Sequence, residues 1–239
     1  MDAAILCGGE GTRLRPLTYA VPKPLLPLGS KPILEVTLTK MRDQGFKTFY
    51  LMTNYKSEMI RSYFGTGATF GVEIEYFEEK NPRGTAGPLS ELKDHQTSPF
   101  VVMNADLLTN LRFKDLLSFH KNRGADLTIA LKKFERSIAY GIVEIQDDDS
   151  VSSIEEKPRF SFLVNSGIYA VSPSVLPLIP NDGIFQMTDL IDVAISKGMN
   201  VVGYEFSESW RDIGRLDDYM KAISDIENGV DSDTEGLFI

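Results

Sequence analysis

The chain opens on a short apolar run, Ala3 to Leu6, that passes directly into Cys7-Gly8-Gly9-Glu10-Gly11-Thr12-Arg13-Leu14-Arg15 and on to Val21-Pro22-Lys23-Pro24. No other stretch constrains the fold as tightly. A run this short reads as a buried strand. Glycines placed directly after it let the backbone turn sharply and approach a ligand closely. Successive backbone N–H groups in such a turn form a concave anion site, to which Arg13, Arg15 and Lys23 add side-chain charge. The stretch therefore reads as a phosphate cradle, from Leu6 through Gly8, Gly9, Gly11, Thr12 and Arg13. The alternative is a plain strand-to-helix turn with solvated cations.

The chain then repeats the strand-and-helix theme. Apolar spacing predicts a helix over Pro32 to Gln44 stopped by Gly45, a strand over Lys47 to Thr53, a helix from Ser57 to the Gly65 stop, and a strand over Val72 to Phe77. Pro88 predicts a helix start near Gly87. Phe100 to Met103 is unbroken apolar, as in a strand buried on both faces, and a helix is expected over Phe113 to Asn122. This alternation implies a mainly parallel sheet with helices on both faces. Beyond Gly124 strands cluster: Asp126 to Lys132, Gly141 to Gln146, Val151 to Glu155 and Phe162 to Val171, with Asp147-Asp148-Asp149-Ser150 as a hairpin turn. They predict an antiparallel part covering one side of the cleft. Helices over Pro173 to Ile179, Met187 to Lys197 and Leu216 to Asn228, and a strand over Asn200 to Phe206, complete one domain spanning residues 1–228. Residues 229–239, acidic and small, are expected as a flexible tail.

Composition narrows the function. With 239 residues the chain can bury a core without staples. The single cysteine, Cys7, excludes an internal disulfide framework and fits a reducing, cytoplasmic setting. No run approaches the ~20 apolar residues of a membrane span, and no basic-then-apolar leader opens the chain. A net charge of -9 argues against nucleic acid as a partner. It is compatible with small phosphorylated substrates, because a metal and a few local cations reverse the potential inside one cleft.

In open α/β sheets ligands sit beyond the carboxyl ends of the strands. The first loop and Asn104-Ala105-Asp106 should therefore face one crevice. Asp106 there either holds Mg²⁺, which prefers carboxylate and phosphate oxygens, or caps a turn. Glu79 precedes the small residues Gly84-Thr85-Ala86-Gly87, which either admit a flat base or sugar or form an ordinary loop capped by Thr85. Glu155-Glu156-Lys157-Pro158 is either a binder of sugar hydroxyls and phosphate or a solvated face. Asp212, beside the only tryptophan, is either a second metal carboxylate or a helix cap. Tyr140-Gly141 and Asn165-Ser166-Gly167 are weaker signals. His95 and His120 lack metal-ligand spacing, so no zinc site is indicated. No Gly-x-Ser-x-Gly element is present. Gly9-Glu10-Gly11-Thr12-Arg13-Leu14 lacks the third glycine of a dinucleotide fingerprint, which disfavours an oxidoreductase.

Taken in order, Gly8-Gly9-x-Gly11-Thr12-Arg13-Leu14-x-Pro16-Leu17-Thr18, Pro22-Lys23-Pro24-Leu25, Gly84-Thr85-Ala86-Gly87, Asn104-Ala105-Asp106, Glu155-Glu156-Lys157-Pro158, Asn165-Ser166-Gly167 and Trp210-Arg211-Asp212-Ile213-Gly214 resemble the sugar-1-phosphate nucleotidylyltransferase family. The resemblance implies a Rossmann-like three-layer α/β fold with a mixed, mainly parallel central sheet and a small antiparallel sugar-binding subregion. It implies a reaction in which NTP and sugar 1-phosphate give NDP-sugar and pyrophosphate. Arg13, Lys23 and Asp106 would then be catalytic. Leu6, Gly8, Gly9, Gly11, Thr12, Arg13, Glu79, Gly84 and Thr85 would bind the nucleotide, with Glu79 and the Gly84 turn on the base. Tyr140, Gly141, Glu156, Lys157 and Asn165 would bind the sugar phosphate, and Asp106 and Asp212 would coordinate Mg²⁺. Asn54-Tyr55-Lys56, Tyr63-Phe64-Gly65 and Phe70-Gly71-Val72 are similar to guanylyltransferases for mannose, heptose or amino-sugar 1-phosphates of surface glycans, which ranks GTP ahead of UTP or dTTP. Ala105 stands where the family usually has glycine, and Arg83 where leucine is frequent. Ala105 is the one motive for a catalytically weak, nucleotide-binding regulatory homologue. Apolar positions on the last helices would serve a homo-oligomer.

Overall fold

The computed structural model describes residues 1–227. The expected tail, 229–239, lies outside the described residues. The strands are β1 (Asp2–Leu6), β2 (Pro27–Leu28), β3 (Lys31–Pro32), β4 (Thr48–Thr53), β5 (Glu73–Glu78), β6 (Phe100–Asn104), β7 (Leu107–Thr109), β8 (Leu127–Ser137), β9 (Ile142–Ile145), β10 (Val151–Glu155), β11 (Arg159–Val171), β12 (Val201–Phe206) and β13 (Trp210–Asp212). The α-helices are α1 (Leu17–Ala20), α2 (Ile33–Asp43), α3 (Ser57–Phe64), α4 (Phe113–Asn122), α5 (Met187–Ser196) and α6 (Leu216–Glu227).

Seven strands make one sheet in the order β12-β8-β11-β6-β1-β4-β5. β11 runs antiparallel to both its neighbours; the remaining pairs are parallel. The sheet is thus mixed and mainly parallel, as the alternation implied. Its central strands are fully buried because helices cover both faces. Leu34, Leu38, Ile60, Phe64, Phe113 and Leu116, from α2, α3 and α4, close one face over Ile5, Leu51 and Met103. Leu89, Val175, Leu176, Met187 and Leu190 close the other over Ala4, Val102 and Tyr169. A third cluster ties α6, through Tyr219, Ala222 and Ile226, to Leu14 of the first loop and to Leu28 and Ile33.

Some elements differ from expectation. The helices expected near Gly87 and over Pro173 to Ile179 are single 3₁₀ segments, Gly87–Leu92 and Pro173–Leu178. Each carries a proline in its first turn, and the second has Pro177 inside it, which removes a backbone donor and prevents extension. The strands expected over Asp126 to Lys132 and Phe162 to Val171 do not form a separate layer. They are the inner parts of β8 and β11 in the main sheet, and their outer ends project as an arm. Of these clustered strands, β9 and β10 alone form a detached hairpin. Its turn is closed by Gln146 N–H donating to Ser150 O at 2.9 Å.

β13 and β7 were not foreseen. They pair antiparallel, Trp210 with Thr109 and Asp212 with Leu107. Three residues with two charges leave no readable period; pairing with the chain just after Asp106 makes them a strand.

Candidate active site

The carboxyl ends of β1 and β6 lie side by side, with Leu6 opposite Asn104. The Ala105 N–H donates to Leu6 O at 3.2 Å, fixing the two connecting loops to each other. Between them and the 79–88 segment lies a cavity of about 380 Å³. Leu6, Gly8, Gly9, Gly11, Thr12, Arg13, Lys23, Glu79, Gly84, Thr85 and Asp106 all line it. Cys7, Pro24, Met52, Pro82, Arg83, Pro88, Asn104 and Ala105 complete the wall. Met52 carries no signal of its own: it is a buried residue near the end of β4, and only the parallel pairing of β4 with β1 brings it beside Leu6.

The first loop is held in shape from behind. Gly11 adopts φ 62°, and a Cβ there would sit 2.9 Å from Thr18 Cγ2, so this turn requires glycine. The Thr18 hydroxyl donates to Gly11 O at 2.9 Å, and Tyr55 Oη donates to Thr18 O at 2.9 Å. Leu14, fully buried against α6, anchors the far end, while Arg13 next to it is exposed.

On one side of the cavity the charges converge. Lys23 Nζ forms an ion pair with Asp106 Oδ2, both side chains being largely buried. Prolines flank Lys23, and its short 3₁₀ turn fixes the stem. Asp106 Oδ1 is buried and has no hydrogen-bond partner among the described residues. The Ile213 N–H donates to Asp106 O at 2.9 Å, which draws the end of β13 to this point. The Asp212 carboxyl is raised above its ordinary value, first by burial and then by the Asp106 charge, with Lys23 and Arg13 opposing. Arg13 reaches the same spot: a Cβ on Gly214 would stand 3.0 Å from Asp212 Oδ1 and 3.4 Å from Arg13 Nη2. Two carboxylates and two cations therefore share one corner. Asp212 does not line the cavity itself but borders it through Arg13 and Asp106.

The opposite side is built around Glu79. Its Oε1 accepts the Arg83 N–H at 2.9 Å, and its Oε2 lies 3.0 Å from where a Cβ on Gly8 would sit. Burial raises its pKa, and the Arg83 N–H opposes the shift. Gly84 turns at φ 82°, where a Cβ would meet Phe185 O at 2.6 Å. The Thr85 hydroxyl faces inward to the fold. It bonds Gln186 Oε1 at 3.0 Å and accepts the Met187 N–H at 2.8 Å, at the start of α5. Thr85 thus caps α5, not a helix at Gly87. Burial pushes the Cys7 thiol up, with the Asp106 charge adding to the effect; this thiol is no nucleophile.

The expected sugar residues sit apart from the cavity. Gly141 and Glu156 are adjacent, a Cβ on Gly141 falling 3.0 Å from Glu156 Oε2. Lys157 lies 4.0 Å from Glu156 in an exposed pair, and Tyr140 is 77% exposed. Lys157 lines a second hollow of about 350 Å³ with Arg136 and Arg159 on the arm. Asn165 lies nearer, on β11 where the register breaks before Tyr169. Its Oδ1 accepts the Gly167 N–H at 2.9 Å, and a Cβ on Gly167 would fall 2.8 Å from Asn104 Nδ2 of the cavity wall.

An α/β sheet whose glycine loop, paired aspartates and basic side chains meet at the strand ends defines a phosphate-handling protein, and comparison places it: residues 2–229 match the nucleotidyl transferase family model, and the chain belongs to that family. It is 31% identical over 235 residues to a mannose-1-phosphate guanylyltransferase of Mycobacterium tuberculosis, covering 96% of this chain and 66% of that protein. It is 32% identical over 242 residues to a UTP–glucose-1-phosphate uridylyltransferase of Synechocystis, covering 93% and 62%. The chain thus spans just under two thirds of the length of these curated relatives. Among solved structures, HddC from Yersinia pseudotuberculosis complexed with GMP-PN superposes with a TM-score of 0.73 at 26% identity, covering 94% of this chain and 99% of that one.

Proposed function

We propose that the chain is a sugar-1-phosphate nucleotidylyltransferase, converting an NTP and a sugar 1-phosphate to an NDP-sugar and pyrophosphate. The observation that carries this reading is the corner where Arg13, Lys23, Asp106 and Asp212 meet at the mouth of a glycine-lined cavity. The nucleophile, a phosphate oxygen, is already ionised near neutrality because the second pKa of a phosphomonoester is about 6. No general base is needed. The protein must instead place two mutually repelling anions in line and stabilise the charge that builds between them.

The glycine loop receives the triphosphate on its backbone N–H groups. Arg13 steadies the leaving pyrophosphate, and Lys23 binds phosphate at the reacting centre. The orphaned Asp106 Oδ1 and the raised Asp212 suit a hard dication, which relies on one or two carboxylates plus substrate phosphates. Mg²⁺ bound there would neutralise phosphate charge. Asn165, at the bulge beside Asn104, is the sugar-side residue nearest the reaction; Tyr140, Gly141, Glu156 and Lys157 bind the sugar phosphate from the arm.

GTP is the favoured nucleotide. Glu79 offers acceptors only, and guanine presents two adjacent donors, N1–H and the 2-amino group. Uracil and thymine present a single N–H between two carbonyl oxygens, which a carboxylate repels. Supply of nucleoside triphosphates supports a cytoplasmic setting, and a homo-oligomer is part of the same reading. Pyrophosphate release measured over a matrix of NTPs and sugar 1-phosphates, with Mg²⁺, tests the whole. Release with GTP and a hexose, heptose or amino-sugar 1-phosphate is expected. Release with no pair, despite nucleotide binding, would leave the regulatory homologue.

A further inference from the structure

The charged corner is balanced before any substrate arrives. Asp106 and Asp212 bring two negative charges close enough to influence each other, and Lys23 and Arg13 bring two positive ones. The balance is unequal in its contacts. Lys23 is committed to Asp106 Oδ2, whereas Asp106 Oδ1 has no partner among the described residues. Lys23 is only 11% exposed, and its backbone is held between Pro22 and Pro24 under the Gly11 turn. The ammonium therefore competes for the same carboxylate that a dication needs. A charge-assisted contact of this kind is among the stronger hydrogen bonds.

We propose that Lys23 is a placeholder cation. Without nucleotide it pairs with Asp106 and lowers the affinity of the cleft for divalent metal, and it leaves the carboxylate for phosphate when nucleotide and metal enter together. The inference rests on the transferase reading and deepens it, since it assigns Lys23 a role before the reaction as well as in it. Its physical content is an exchange of partners. Asp106 gives up an ammonium and gains a dication, while Lys23 gives up a carboxylate and gains a phosphate. Each charge keeps a partner throughout, so no buried charge is stranded during loading. By linkage, the ligand that gives Lys23 a new partner must favour the metal, and the metal must favour that ligand to the same extent.

Binding of Mn²⁺ to the free protein, followed by the electron paramagnetic resonance of unbound Mn²⁺ without nucleotide, tests this directly. Lys23→Met removes the competitor and leaves the two carboxylates to repel each other. It should bind Mn²⁺ about tenfold more tightly than the wild type. Equal or weaker binding by the folded variant overturns the inference. If Lys23→Met does not fold, the wild type alone decides. The ¹⁵Nζ resonance of Lys23 should shift or broaden as Mg²⁺ is added without nucleotide, and a resonance unmoved while Mg²⁺ binds overturns the proposal. Absence of metal binding to either protein, with or without nucleotide, would overturn the metal reading itself, a distinct outcome from equal binding to both.

Discussion

The indole N–H of Trp210 donates to the backbone carbonyl of Ser166 at 2.9 Å. Ser166 is buried, and its own hydroxyl donates to Ala130 O at 2.7 Å. This one bond joins the start of β13, which ends in Asp212, to the bulge of β11 that presents Asn165 and Gly167. Trp210 is thus a strut between the carboxylate corner and the Asn165 bulge.

Trp210→Phe keeps most of the packing and removes the donor. The Ser166 carbonyl then loses its anchor and the bulge loosens. We expect KM for the sugar 1-phosphate to rise several-fold, with KM for the nucleotide unchanged. Steady-state kinetics with each substrate varied in turn reads the split; equal rises in both would mean the bond serves general stability.

Arg13 and Leu14 are neighbours with opposite tasks. Arg13→Ala removes charge at the cavity mouth from an exposed side chain. It should cut kcat/KM by at least about a hundredfold and change stability by less than about 0.5 kcal/mol. Leu14→Ala empties a fully buried position against α6 and should cost about 2–5 kcal/mol. Urea denaturation beside single-turnover kinetics separates the two; parallel loss of stability and activity in Arg13→Ala would return the loop to a structural role.

Glu79→Gln exchanges one acceptor oxygen for a donor amide. Guanine then loses one of its two matched acceptors, and uracil or thymine gains a donor for a carbonyl. The ratio of kcat/KM for GTP to that for UTP should fall by at least about tenfold. An unchanged ratio would move base recognition elsewhere.

His120 is 1% exposed, its two ring nitrogens bonded to Thr128 Oγ1 at 2.8 Å and Ser172 Oγ at 2.9 Å. Burial lowers its pKa, with Asp126 opposing. The fold therefore holds the neutral ring, and the unfolded chain takes up the proton first. Stability from this site is complete above the ordinary histidine value of about 6.5 and declines as pH falls below it, by at most about 1.4 kcal/mol per pH unit. Urea midpoints between pH 8 and pH 5 should fall more steeply for the wild type than for His120→Gln. Identical slopes would remove His120 from the acid response.

Much of this protein was legible in its residues because the relevant forces are local. Strand, glycine turn and helix follow one another over Ala3 to Gln44 with little need of distant partners, and Phe100 to Met103 is apolar enough to be central in any fold. The first loop marked itself as a cavity wall through glycine and charge alone. What escaped was decided by long-range pairing. Thr85 looked like a cap for the helix beside it, yet caps α5 through Gln186, about a hundred residues away. Trp210 to Asp212 has no period to read and becomes a strand only against β7. The strands clustered between Gly124 and Val171 gave no sign that the first and the last of them enter the main sheet.

The sequence by itself determined the fold class and the identities of the charged side chains at the cavity mouth, because glycine turns, apolar runs and cations act over a few residues. Only the tertiary structure decided that Lys23 rests on Asp106, that Asp212 joins them, and that the arm stands away from the cavity. Those relations depend on which strand lies beside which, and on burial that makes one unpaired carboxylate oxygen costly; neither is written in any short stretch of chain.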